Sequence, residues 1–362
     1  MGFEIVSLFS GCGGLDLGFS QAGFNVVWAN EFDKDIWETY AQNHSHTFLD
    51  KRDIIKITSQ EIPDCVGIIG GPPCQSWSEA GTQRGINDER GQLFSDYVRI
   101  LQDKQPLFFL AENVSGMLHQ KHRSSIESIV ESFEKANYTV SFKLLNTVNY
   151  NVPQDRKRVI FVGYHQSLNK QFDFNSIIKT IYVPTLRKAI WDLRETVQPA
   201  NNLKIQACAI ANHQYMQGGF SSIYMSRNRV RAWDEPSFTI QAGGRHAPIH
   251  PQASKMIHVD IDKWVFDPES PAAYRRLSVR ECARIQTFPD NFIFYYKNII
   301  AAYKMIGNAV PVNFSYAIAQ AIKEDLLSSE QKQQSHRIFT TKTQLETYAI
   351  TTKYFASSSS IS

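Results

Sequence analysis

The apolar run Phe3-Glu4-Ile5-Val6-Ser7-Leu8-Phe9 breaks into Ser10-Gly11-Cys12-Gly13-Gly14 and resumes as Leu15-Asp16-Leu17-Gly18-Phe19. Strand, glycine turn and amphipathic helix in that order make the first βα unit of a nucleotide-binding sheet, because glycines let the backbone approach a ligand at a helix N-terminus. Such a unit commits the chain to an open α/β sheet, whose ligands gather at the carboxyl ends of the strands. The spacing is Gly-x-Gly-Gly rather than Gly-x-Gly-x-x-Gly, so it does not spell an NAD pyrophosphate site, and an NAD-dependent oxidoreductase is disfavoured. Val26-Val27-Trp28-Ala29-Asn30 reads as the second strand, and it ends at Glu31, where a carboxylate can hold ribose hydroxyls. Asp53, ahead of Ile54, can accept from an adenine amino group. Acids at successive strand ends point to an adenosine-containing cofactor.

Val66-Gly67-Ile68-Ile69 reads as a short buried strand that Gly70-Gly71-Pro72-Pro73 stops abruptly, which sets Cys74 at a strand's carboxyl end. The rigid Pro-Pro step before it and the polar Gln75-Ser76-Trp77-Ser78 after it suit a nucleophile better than a core thiol. A zinc deaminase would need Pro-Cys-x-x-Cys with an upstream His-x-Glu, and Cys74 has no such partner. The five cysteines are odd in number and none sits in a Cys-x-x-Cys spacing, which argues against a disulfide framework or a structural metal and fits a reducing cytoplasm. Pro106 to Val114 is a further buried strand that delivers Glu112 beside Cys74. A carboxyl partly desolvated there can stay protonated and act on a ring nitrogen. Gln154-Asp155-Arg156-Lys157-Arg158 precedes the strand Val159 to Gly163, and alternation puts Arg156 and Arg158 on one face, able to engage a phosphate and a base carbonyl together.

With 362 residues, 43% of them hydrophobic and 20% charged, the chain can build a large core and a smaller domain. It has no apolar run of 18 residues and no signal-peptide pattern, so a cytoplasmic bacterial protein is expected, neither membrane-spanning nor secreted. An amphipathic helix carries Ile126, Ile129, Val130 and Phe133 on one side. The expected division is a catalytic and cofactor-binding domain over 1–184, an irregular target-recognition domain over 185–271, a return to the catalytic domain over 272–327, and a Ser/Thr/Gln/Lys-rich disordered tail over 328–362. Ser278 with Glu281 spells a capping box, and Val310 to Ile322 reads as a last helix. A net charge of +3 is too small to prove a nucleic-acid partner. From Arg187 to Arg245, however, eight Lys/Arg stand against four Asp/Glu, an excess that suits a phosphate-facing surface.

Taken together the motifs resemble those of the S-adenosylmethionine-dependent DNA cytosine-5 methyltransferases, in that family's order. Phe9 to Gly14 is similar to the cofactor loop, Glu31 to the ribose-binding acid and Pro72-Pro73-Cys74-Gln75 to the nucleophile motif; Arg90 to Phe94, Glu112 to Val114, Gln154 to Arg158, Arg280 to Pro289 and Gly307 to Pro311 follow. Ser7 stands where many members carry Asp, and Arg52 where a glycine is common. The resemblance implies a Rossmann-like methyltransferase sheet with a smaller recognition domain. It implies S-adenosyl-L-methionine contacts at Phe9, Gly11, Gly13, Gly14, Glu31, Phe32, Asp53, Ile54, Gly71, Pro73, Leu93, Asn308 and Ala309, with the Phe9 ring facing the sulfonium. It further implies covalent attack by Cys74, stabilisation of the adduct by Glu112, Arg158 on the base carbonyl and Arg156 on a backbone phosphate. The target base would be flipped out, and the glycine-punctuated segment through Ser78, Gly81, Arg84 and Gly85 would close as a lid; the acceptor of the C5 proton is not readable.

Ser226 to Arg231 and Phe238 to Arg245 make the chain similar to the GGCC-specific HaeIII-type modification methyltransferases. That implies methylation of the inner cytosine of double-stranded GGCC by a monomer, protecting DNA from a GGCC-cutting endonuclease. Arg227, Arg229, Arg231 and Arg245, with Gln75 and Ser78, are the candidate DNA contacts, and each arginine serves a guanine edge or a phosphate equally well. A tRNA-directed cytosine methyltransferase would share the catalytic motifs, but the recognition segment favours duplex DNA. A non-catalytic relic would have lost Cys74 or Glu112, and both are present.

Overall fold

A computed structural model describes residues 2–73, 89–118, 123–200 and 208–328, with the side chains of 89–91 excepted. Cys74, Gln75, Ser78 and the expected lid lie outside the described residues, as does the tail beyond 328. Residues 1–319 form one compact unit; in the second, 320–362, the described residues 320–328 are helical.

The apolar runs become strands β1 (Glu4–Leu8), β2 (Asn25–Asn30), β3 (Phe48–Asp50), β4 (Gly67–Gly70), β5 (Phe108–Val114), β6 (Tyr138–Asn146), β7 (Gln154–Asp155) and β8 (Lys157–His165). Seven of them make one sheet in the order β3-β2-β1-β4-β5-β8-β6. The five from β3 to β5 run parallel, while β8 is antiparallel to both β5 and β6, so the sheet is mixed. Every residue of β4 is buried, as a central parallel strand covered on both faces requires. The chain leaves β1 for β2 on one side and returns to β4 on the other, which opens a crevice at the carboxyl ends of β1 and β4. Helices α1 (Gly14–Gln21), α2 (Trp37–Asn43), α3 (Glu89–Lys104) and α4 (Arg123–Lys135) connect these strands. In α4, Ile126, Ile129 and Phe133 are buried, with Val130 packed against the same core.

Under the glycine turn lies a polar group that Ser7 makes possible. The Ser7 hydroxyl donates to Asp16 Oδ1 at 2.7 Å and the Tyr40 hydroxyl to Asp16 Oδ2 at 2.6 Å, all fully buried. Burial pushes the Asp16 carboxyl up to about 6 despite both donors. A folded value above the unfolded one means that the native state holds an extra proton between about pH 4 and 6, so this group's stabilisation is complete at acid pH and is lost as pH rises through 6. The stability of the wild type minus that of Asp16→Asn is therefore expected to fall by about 2 kcal/mol between pH 4 and 6.5, read by urea unfolding. A flat difference would contradict it.

The segment after Pro184 differs from an autonomous recognition domain. Leu186, Ile190, Leu193, Ala200, Met216, Ile240 and Ala247 share one core with Val279 to Val312 and with Cys12 and Ile36. The separate small core lies farther on, in Tyr224, Val230, Ile249, Ala253 and Met256, with Phe220, Trp264, Phe266 and Tyr274 against it. Apolar side chains at helical spacing in α5 (Leu186–Ile190) draw the first part of the segment onto the catalytic side, so the expected boundary at 184/185 is not a boundary in packing. Three short pairs complete the region: β9 (Gln198–Ala200) with β10 (Gln214–Met216), β11 (Ser237–Phe238) with β7, and β12 (Ile257–Asp260) with β13 (Lys263–Val265).

The return is fixed by α6 (Val279–Ile285) and α7 (Ile299–Asn308). The capping box is formed: Glu281 N–H donates to Ser278 Oγ at 3.0 Å and Ser278 N–H to Glu281 Oε2 at 2.8 Å. The final helix starts at 312 rather than 310, because Pro311 disfavours a helical conformation at Val310.

Candidate active site

The crevice at the β1 and β4 ends is a cavity of about 650 Å³. Phe9 leaves β1 with φ +54°, a left-handed conformation that a bulky residue holds only when its surroundings enforce it, and its side chain lines the cavity. Gly11 N–H donates to Glu31 Oε2 at 2.9 Å and Asp33 N–H to Oε1 at 2.7 Å, so the acid at the end of β2 ties down the glycine turn. Burial pushes the Glu31 carboxyl upward, and these two donors oppose that. Each carboxylate oxygen keeps a further lone pair for a ligand hydroxyl. Ser10 stands on the same wall, its hydroxyl buried and without a hydrogen-bond partner among the described residues.

Of the expected cofactor contacts, Phe9, Gly11, Gly14, Glu31, Gly71, Pro73, Asn308 and Ala309 line this cavity. Others do different work. Gly13 adopts φ +85° ahead of α1, and a Cβ there would lie 2.0 Å from His44 Nε2, so it serves turn and packing. Asp53 accepts from Ile55 N–H at 3.2 Å and so caps a short turn. Ile54 is buried in the hydrophobic core and Leu93 packs against it, for both are apolar residues on core-facing turns. Phe32 is 67% exposed, outside the cavity lining. Residues not expected but present on the wall include Ser10, Asp33, Ile36, Met117 and Val310.

Pairing of β4 with β5 sets Gly70 beside Ala111, which puts Gly71 and Glu112 side by side at the mouth. Asn113 Nδ2 donates to Pro72 O at 3.0 Å and so anchors the Pro-Pro step that leads into Cys74. Arg158 Nε lies 2.8 Å from Glu112 Oε1, with both side chains nearly buried. This is an ion pair without hydrogen-bond alignment, and Oε1 has no hydrogen-bond partner among the described residues. The Glu112 side chain, held by this pair, lines the cavity wall, where a carboxylate can accept from a ligand N–H.

Arg156 departs from expectation. It is 1% exposed, and Nη1 donates to Ile240 O and Gly307 O at 3.0 Å each while Nη2 donates to Ala309 O at 3.1 Å. A guanidinium so enclosed braces these chain segments, and Arg156 also lines the cavity wall beside Arg158. The recognition arginines also separate. Arg229 is 8% exposed, donates to Tyr224 O at 2.7 Å and Ile223 O at 3.0 Å, and stacks on the Tyr224 ring. Arg231 pairs with Glu235 at 3.3 Å and lies over the Phe238 ring. Strict alternation thus fails, because the segment leaves a short 3-10 turn at Tyr224–Ser226 and Arg229 folds back over it. Arg227 and Arg245 are exposed. Arg227, Arg229, Lys157, Arg158, His246, Thr239 and Gln241 line a second, basic cleft of about 390 Å³ next to the first.

The family model described as C-5 cytosine-specific DNA methylase matches residues 3–324. The chain is 52% identical over 331 residues to the type II methyltransferase M.FnuDI of Fusobacterium nucleatum, covering 90% of this chain and 96% of that one. It is 55% identical over 329 residues to the type II methyltransferase M.MthTI of Methanothermobacter thermautotrophicus, covering 90% and 98%. Among solved structures it is similar in fold to a putative DNA modification methyltransferase encoded within an E. coli prophage, with a TM-score of 0.69 at 23% identity over 90% of this chain and 99% of that one. The S. pombe Dnmt2 methyltransferase follows at TM-score 0.62 and 18% identity, over 89% and 99%.

Proposed function

The chain belongs to the C-5 cytosine-specific DNA methylase family, and from that membership we propose that it is the modification enzyme of a type II restriction-modification system, methylating the inner cytosine of GGCC in duplex DNA through a covalent adduct at Cys74. The observation that carries the catalytic part is the Glu112 carboxylate, nearly buried at the end of β5 and ion-paired with Arg158, on the wall of the cavity that also holds the glycine turn. That cavity fits an adenosine cofactor by its enforced Phe9 conformation, its glycine turn and the carboxylate of Glu31. S-adenosylmethionine, when bound, supplies an electrophilic methyl on a sulfonium.

Cytosine C5 is a weak nucleophile, so the ring must first be opened to attack. Cys74 as thiolate adds to C6 and the ring electrons move to C5 and N3, while Glu112 holds N3 and the exocyclic amine. Arg158, paired with Glu112, is positioned toward the O2 carbonyl. C5 in the adduct is nucleophilic enough to be methylated; loss of its proton to a base then expels Cys74. The other cysteines are poor competitors: burial pushes Cys12 and Cys65 up to about 12 and raises Cys208 and Cys282.

The flanking DNA is met by the basic cleft, with the exposed Arg227 as reader and Arg229 held by its bonds to the Tyr224 turn on the same wall, and by Arg245, exposed outside that lining. Alanine at Arg227 or Arg245 is expected to cost about 1–3 kcal/mol of discrimination if the side chain reads guanine, and to weaken all duplexes alike if it holds phosphate. Alanine at Arg229 is expected to lower thermal stability with little change in sequence preference. Bisulfite sequencing of plasmid from expressing cells tests the site: methylation centred on any motif other than GGCC, or failure to protect against a GGCC-cutting nuclease, refutes the specificity and leaves the chemistry standing.

A further inference from the structure

A wholly buried polar junction joins the two cavities. The Arg156 guanidinium binds Ile240 O on one side and Gly307 O and Ala309 O on the other. Gln154 works in parallel: its Oε1 accepts from Ile240 N–H at 2.8 Å and its Nε2 donates to Gln286 Oε1 at 2.7 Å. Gln286 Nε2 in turn donates to Ile306 O at 2.7 Å and Ala309 O at 3.2 Å. The backbones also touch directly, since a Cβ on Gly307 would lie 2.3 Å from Gln241 O and 2.4 Å from Ala242 N. Neighbours of these atoms face different ligands: Thr239 and Gln241 line the basic cleft, whereas Gly307 and Ala309 line the cofactor cavity. Segment 240–242 therefore cannot shift without either carrying 306–309 along or leaving a buried charge and several buried polar groups unpaired, which is strongly disfavoured.

We propose that this junction links occupancy of the DNA-facing cleft to occupancy of the cofactor cavity, with Arg156 as its positioning residue. The inference rests on the methyltransferase reading above. Linkage of this kind is a coupling free energy, and each ligand changes the other's affinity by the same factor.

Calorimetric titration of S-adenosylhomocysteine into the full chain, alone and saturated with the duplex that methylation mapping identifies, measures that factor. It is expected to be about fivefold or more in the wild type and to fall below about twofold in Arg156→Met. Arg156→Lys, whose ammonium can take the Nη1 position between the Ile240 and Gly307 carbonyls, restores part of it, a rescue that a general loss of stability would not show. Gly307→Ala leaves Arg156 in place and wedges the two backbones apart; it is expected to lose the linkage too, and it decides the matter where Arg156→Met does not fold. A wild-type factor near one, or a wild-type factor in folded Arg156→Met or Gly307→Ala, overturns the inference. A wild type that methylates no duplex defeats the methyltransferase reading instead, and this inference with it.

Discussion

Cys74→Ser is expected to lower methyl transfer on the order of 10,000-fold or more, the scale seen when a covalent nucleophile is removed. The attacking species is a thiolate, and a serine hydroxyl ionises so much less readily that the addition to C6 has no substitute. No other thiol can take over, because burial pushes Cys12 and Cys65 up to about 12 and Cys282 sits fully buried in the core. Binding is expected to survive: the glycine turn, Glu31 and Phe9 form their wall of the cavity without Cys74. The assay is incorporation of labelled methyl into duplex DNA beside calorimetric titration of the cofactor. Turnover within tenfold of wild type would remove Cys74 from the mechanism. A duplex carrying 5-fluorocytosine at the target gives the complementary reading, for it has no C5 proton to lose and should leave a denaturation-resistant adduct that mass spectrometry locates at Cys74.

The fold was legible where the chain repeats a local rule. β1, β2, β4 and β5 are apolar runs closed by glycine, an acid or proline, and all four occur within a residue or two of where those signals fall. Glu31 and Glu112 were legible because each ends a strand beside the crevice. Arginine was the residue type that misled. Arg156, Arg158, Arg229 and Arg231 look alike in sequence to Arg227, yet these four bind carbonyls or carboxylates of their own chain. The difference lies in partners far along the chain: Arg156 meets carbonyls at 240, 307 and 309, and no local pattern encodes that distance. One signal was available, since Gly307 stands in the largely apolar α7, where a glycine usually marks close backbone approach. Packing continues across 184 for a related reason: α5 and β10 carry apolar residues that share a core with Val279 to Val312, and irregular secondary structure in the sequence does not reveal that contact.

Glu112→Gln is expected to slow the chemical step by about 100- to 10,000-fold, the range for a positioned acid or base. The substitution keeps the size of the side chain. An amide can still accept from an exocyclic amine and can donate to a ring nitrogen, so base binding is largely preserved. What is lost is a carboxyl that can follow the growth of charge on N3 as Cys74 adds, and the ion pair with Arg158, which lies 2.8 Å away and nearly buried. Both matter along the reaction path more than in the ground state, so kcat is expected to fall while cofactor affinity stays within about threefold. The position of Glu112 makes the result discriminating, because the same cavity receives Gly71 on one side of it and Phe9 and Glu31 farther in. An equal loss of cofactor affinity would assign Glu112 to the cofactor wall; unchanged turnover would refute the proposed chemistry.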